Sequence, residues 1–138
     1  MVRHGLEQAL DKLTDEQLGF VPAEGLWSLG TVACHIANAE DGWFHYVAAQ
    51  ELGEWPSLDE EQYRTVAWIK ALLDEVHGNT LASLQGTNIA DLDRTIAAPW
   101  GTELTLRSII WHVLQHEIHH RGEIYLMLGL MGMEAPDV

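Results

Sequence analysis

The chain has 138 residues, 47% of them hydrophobic, and 21 acidic against 7 basic side chains give it a formal charge of −14. A chain of this length buries a core without disulfide staples, and so acidic a surface repels phosphate backbones and anionic membranes, which disfavours nucleic-acid and membrane partners. The single cysteine, Cys34, cannot form an internal disulfide. The first residues lack the apolar segment of a signal peptide, and the apolar run IYLMLGLMGM at 124–133 is too short to cross a bilayer. A cytoplasmic protein with one domain over residues 1–138 is the expectation.

Four segments carry helical periodicity. The first, VRHGLEQALDKL, spaces Leu6, Leu10 and Leu13 by three to four residues and stops before a loop marked by Gly19, Pro22 and Gly25. The second runs from about Ser28 to Gln50, with Ser28 or Thr31 as its N-cap. Gly53 and Pro56 break the chain. A third helix is expected from near Ser57 or Asp59 through TLASL, with Val66, Ile69, Leu73 and Val76 as its apolar stripe. Pro99, Trp100 and Gly101 then suggest a turn between two short extended pieces, a small hairpin. The fourth helix starts with Thr105 as N-cap and reaches about Gly129. Four such helices with mostly short connections indicate an all-α, up-and-down four-helix bundle.

The segment HVLQHEIHHRGE, residues 112–123, holds four histidines. A helix turns by about 100° per residue, so with His112 at zero the apolar face defined by Ile109, Val113, Met127 and Met131 centres near ~60°. His116 and His120 straddle that centre at about 40° and 80°, whereas His112 and His119 fall on the rim. Two imidazoles one turn apart on a buried face can reach one ion, and burying them without a partner is costly. Glu123 is a weaker inward candidate. A third ligand must come from another helix. On the second helix His35 lies at the edge of the apolar face, while His45 points about 140° away from its centre. His35 is therefore the choice, and His4, His45 and His77 read as surface residues.

His116-Glu117-Ile118-His119-His120 also fits the HExxH spacing of zinc proteases, in which the Glu is a general base. Residues 121–138 contain no His or Cys to complete such a site, and a small bundle has no strand-edged cleft for peptide. Glu117 falls about 80° from the face centre, which makes it peripheral. A peptidase is not expected. Trp27, Trp43, Tyr46, Trp100 and Trp111 read mainly as core, with one or two bordering the site. Cys34 reads as a small buried apolar residue, Arg121 as the partner of an acid on a neighbouring helix or subunit, and Gly122 as a point of close helix approach.

With WSLGTVACHIANAEDGWF, PWGTELTLRSIIWHVLQH and the HHRGE motif in hand, the sequence resembles the DinB/YfiT-like family of small bacterial four-helix-bundle proteins over roughly residues 20 to 130. The resemblance implies a divalent ion, often nickel or zinc, held by three histidines, which map onto His35, His116 and His120. Members are commonly described as metal-dependent hydrolases, and homodimers are common. Wider relatives use low-molecular-weight thiols, as bacillithiol or mycothiol transferases or as a thiol-dependent isomerase. The first helix is short for the family. The expected function is thus a metal-dependent small-molecule enzyme, either a hydrolase or a thiol S-transferase with a thiol cosubstrate. The competing reading is a non-catalytic metal-binding or stress-response interaction module. Three nitrogen ligands leave a coordination position open for chemistry, with Glu117, Glu123 or His119 as candidate bases.

Overall fold

The computed structural model describes residues 2–137. Four α-helices form the bundle: α1 (Val2–Asp11), α2 (Leu29–Asp41), α3 (Val66–Leu84) and α4 (Leu106–Leu130). A two-stranded antiparallel hairpin, β1 (Thr95–Ala97) and β2 (Glu103–Thr105), precedes α4. Among the described residues no helix is long and apolar enough to cross a membrane.

Helix starts follow local capping. The Ser28 hydroxyl accepts from the Thr31 amide at 3.1 Å and opens α2, satisfying one of the amides a helix leaves unpaired at its start. Past Asp41 the chain does not continue as an α-helix to Gln50. It widens into a π-helical segment, Gly42–Ala48, and Gln50 then closes it in the left-handed region at φ 56°. Gly42 is required there, since a Cβ at this position would meet the Trp55 ring at 2.3 Å.

The third helix begins later than the sequence suggests. The Asp59 side chain accepts from the Glu61 amide and closes only a 3-10 turn, Glu60–Gln62. Thr65 is the true cap, accepting from the Trp68 amide, so α3 starts at Val66. The hairpin is as expected. Gly101, at φ 90°, makes its turn, and Ile96 points into a small core with Val47, Leu106 and Ile109. Thr105 both ends β2 and caps α4, in a reciprocal pair of hydrogen bonds with Ser108.

The main core joins Leu6 and Leu10 of α1, Leu29, Val32 and Ile36 of α2, Ile69 and Leu73 of α3, and Ile124 and Leu128 of α4. Each such side chain contributes about 1.5–3 kcal/mol on burial. α2 packs on α3 and α4, and α1 on the other sides of those two helices. The α1–α2 and α3–α4 pairs therefore lie across the bundle's diagonals, whereas α2 and α3 are neighbours. The links that make these crossings, 12–28 and 85–105, are long, not short as the sequence suggests. This order sets α2 directly against α4.

A charged cluster lies within the bundle. Arg3 of α1 donates from one nitrogen to Glu40 of α2 at 2.5 Å and to Glu117 of α4 at 3.0 Å, and His77 of α3 donates to the other oxygen of Glu40 at 2.8 Å. Glu40 is 3% exposed and Glu117 6%, so all four helices meet in ion pairs largely shielded from water. Removing the single guanidinium leaves the buried Glu117 carboxylate unpaired and Glu40 with His77 alone. Arg3→Met is expected to destabilise the protein by about 3–5 kcal/mol in urea titration, whereas Arg3→Met combined with Glu40→Leu and Glu117→Leu recovers most of that loss.

Candidate functional site

α2 and α4 bring three imidazoles together. His35 comes from the middle of α2, and His116 and His120 from successive turns of α4. One nitrogen from each ring lies within 4.8 Å of the others. The Nε2 atoms of His35 and His116 face each other at 3.0 Å. His120 packs edge-on against His35, with ring centroids 4.8 Å apart, and stands 4.4 Å from His116.

Protonation favours neutral rings. Burial, joined by the neighbouring His120 and His35, pushes the His116 pKa down from 6.5 to about 4. Burial likewise lowers that of His35, helped by His120 and opposed by the Glu123 carboxylate. The third ring is oriented by hydrogen bonding: His120 donates from Nδ1 to Glu123 at 2.7 Å, which leaves its Nε2 free. The other Glu123 oxygen meets His119 Nε2 at 3.3 Å. This donor set suits a divalent cation. Nitrogens sharing one zinc at about 2.0–2.1 Å each stand only slightly more than 3 Å apart, and a carboxylate behind a ligating imidazole fixes its tautomer.

Other expected positions divide. His112 does not join the trio. It packs instead on Trp43, with centroids 4.4 Å apart, and Trp27 rests edge-on against His35 at 4.9 Å. Glu123 contacts His120 but shares no common ligand position with His35 and His116. Cys34 is buried, and His4 is exposed. Arg121 finds the Val2 carbonyl and the Tyr125 ring, and no acid among the described residues of this chain. Gly122 faces open space, so no close approach of helices depends on it within the chain.

Several readings of the sequence need correction. Trp27, Trp100 and Trp111 are about half exposed, not core. Glu117 is buried, not peripheral, and is no candidate base, because it is held by Arg3. Burial raises its pKa; Arg3 opposes this, Glu40 adds to it, and none of the three clustered imidazoles contributes. The cause of the error lies in the face of α4. Leu106, Ile124 and Leu128 are buried along with Ile109 and Met127, which shifts its centre to roughly 100° on the wheel and brings Glu117 inside it. His45 and His77 are not simple surface residues. His45 donates to Glu51 at 2.9 Å with its side chain only 14% exposed, because the π-helical segment advances less per residue than the 100° assumed. His77 holds Glu40. Arg3 and Glu40 went unrecognised, although Arg3 precedes Leu6 on the apolar stripe of α1 and Glu40 follows Ile36 by one turn on α2. Opposite charges at apolar-face positions of two helices are the signal that could have found them.

Residues 1–124 match the family model described as the DinB superfamily. The chain belongs to that superfamily. Among DinB relatives, the uncharacterized protein YjoA of Bacillus subtilis is 25% identical over 133 residues, covering 94% of this chain and 84% of its own. A DinB-like protein from Bacillus cereus superposes with a TM-score of 0.78 at 24% identity, covering 99% of this chain and 90% of its own. YfiT from Bacillus subtilis, described as a probable metal-dependent hydrolase with an unusual four-helix bundle topology, superposes at 0.73 with 24% identity, covering 96% and 83%. These two structural likenesses bear on the fold, and they bear out the four-helix bundle.

The depressed His116 pKa has a thermodynamic sign. Between pH 6.5 and about 4 the unfolded chain holds a proton on this ring that the folded chain does not, so stability must fall as pH drops through that window. For metal-free protein, urea midpoints are expected to decline over this range in wild type and to decline less in His116→Gln. An NMR titration is expected to keep the His116 ring neutral to about pH 4.

Proposed function

We propose that the chain is a metal-dependent enzyme acting on a small molecule, with His35, His116 and His120 holding a divalent cation, zinc or nickel. One observation carries this: three imidazoles from two helices converge with their nitrogens within 4.8 Å. The description of YfiT as a probable metal-dependent hydrolase points the same way. When bound, such a cation supplies Lewis acidity, acidifying a thiol or water that reaches it and polarising an electrophile. The chain's own residues do the rest. Glu123 keeps the proton on Nδ1 of His120, and Trp27 screens one side of His35 from water. Glu123 and His119, at the edge of the cluster, share a site where a proton can be held or passed on.

The reaction is S-transfer from a low-molecular-weight thiol, or hydrolysis. It takes place in the cytoplasm, where such thiols are kept reduced. Metal quantification followed by assay with bacillithiol, mycothiol and glutathione against electrophiles, and with ester and amide substrates, tests the reading. Stoichiometric metal and a chelator-sensitive activity are expected. His116→Ala should lower metal affinity about a hundredfold or more, Glu123→Gln about tenfold, and His112→Ala not measurably. Protein that carries no metal, with stability indifferent to chelator, would sink the proposal.

The same reading includes a homodimer, supported by the outer face of α4. Trp111, Leu114 and Ile118 leave apolar side chains in water there, on a protein whose charge of −14 otherwise keeps copies apart. Gly122 adjoins them and faces open space, so a second helix can come close. Sedimentation equilibrium is expected to show a dimer for wild type and a monomer for Ile118→Glu.

A further inference from the structure

Next to the three histidines, along the groove between α2 and α4, lies a half-open cavity of about 300 Å³. Its walls are Val32 of α2, Leu126 and Met127 of α4, and Leu26 and Trp27 from the segment entering α2. Glu123 is its only charged lining residue. The rim is unusual for an acidic protein: Leu26 is 58% exposed, Trp27 50% and Leu126 63%. Large apolar side chains left in water around one concavity mark a binding site.

The cavity is coupled to the histidines through two of its walls. Trp27 lines it and rests on His35, and Glu123 lines it and accepts the proton of His120 Nδ1. Val32 lies one turn before His35 on α2, and Met127 lies two turns beyond His120 on α4. No imidazole lines the cavity itself; it borders the rings through Trp27, which touches His35, and Glu123, which touches His120. Size limits the occupant. A cavity of about 150 Å³ holds one benzene, so this space holds roughly twice that and is too small for a helix or folded peptide. Charge limits it further. With no Lys or Arg in the lining and Glu123 on the wall, a carboxylate or phosphate on the buried part of a ligand meets repulsion and no counter-ion.

We propose that this cavity is the substrate's binding site and takes an uncharged apolar body, an alkyl or aryl group of about six to ten carbons, whose polar reacting end meets the three histidines. The assignment rests on the metal-site reading above and specifies its substrate class.

Straight-chain alkyl hydroxamates test it, because their head binds a cation and their tail reports on the cavity. Zinc-loaded protein is titrated calorimetrically with the series from acetohydroxamate to octanohydroxamate. Affinity is expected to rise about three- to fourfold per methylene over the first several carbons and then level off. A tail ending in a carboxylate is expected to bind at least tenfold more weakly than a methyl-ended tail of equal length. In Leu126→Glu, a surface change that leaves folding intact, most of the gain with chain length should disappear. Equal affinity for the shortest and longest hydroxamates, or a chain-length gain unaltered in Leu126→Glu, overturns the cavity assignment while the metal site stands. Failure of zinc to load overturns both.

Discussion

One guanidinium shared by two carboxylates fixes how α2 and α4 face each other. Arg3 reaches Glu40 and Glu117 from the single short helix α1, and both acids are almost fully removed from water. Glu117 follows His116 directly, and Glu40 lies little more than one turn beyond His35. Rotating either helix by one residue step, about 100°, would separate a buried carboxylate from its only strong cation and also carry the adjacent imidazole away from the others. The ring cluster thus inherits its geometry from a charge cluster that it does not touch. His77 completes this arrangement from α3, so the alignment draws on every helix of the bundle.

Placing the groove between α2 and α4 also explains its chemistry. Along the groove run the apolar cavity at Val32 and Met127, the three imidazoles, and then the tilted ring pair of Trp43 and His112. Trp43 in turn meets Trp55 and Trp100 nearly at right angles, with centroids 6.0 and 5.8 Å away. Aromatic rings therefore stand on both sides of the histidines. Burial of this groove, together with the mutual influence of the clustered rings, depresses the His35 and His116 pKa values and keeps their lone pairs available near neutrality.

Much of this was legible in the sequence, for reasons that differ by residue. Ser28 and Thr105 announce helix starts because capping is local chemistry, readable from a few neighbours. His116 and His120 could be paired because a regular helix converts spacing into direction. His35 required only that the second helix be regular up to that point, which it is. The failures arise where direction or start depends on something nonlocal. The direction of Glu117 does not follow from local spacing because the inward side of α4 is decided by α1 and α2 together, which bury Leu106, Ile124 and Leu128 beside it. The start of α3 was placed too early because Asp59 and Thr65 are both plausible caps, and only the packing of Val66 onward chooses between them. The pairing of helices across diagonals has no signature in periodicity at all.

The widened turn at Gly42–Ala48 carries one more residue than an α-helix of the same rise would hold. Against any relative whose helix is regular at this point, an alignment that matches His35 must open a gap before Gln50 or slip out of phase, assigning Trp43, Tyr46 and His45 to the wrong counterparts. Evolutionary comparison of the aromatic wall therefore has to be made by superposition, where the bulge shows as a local detour, and not by counting along the chain.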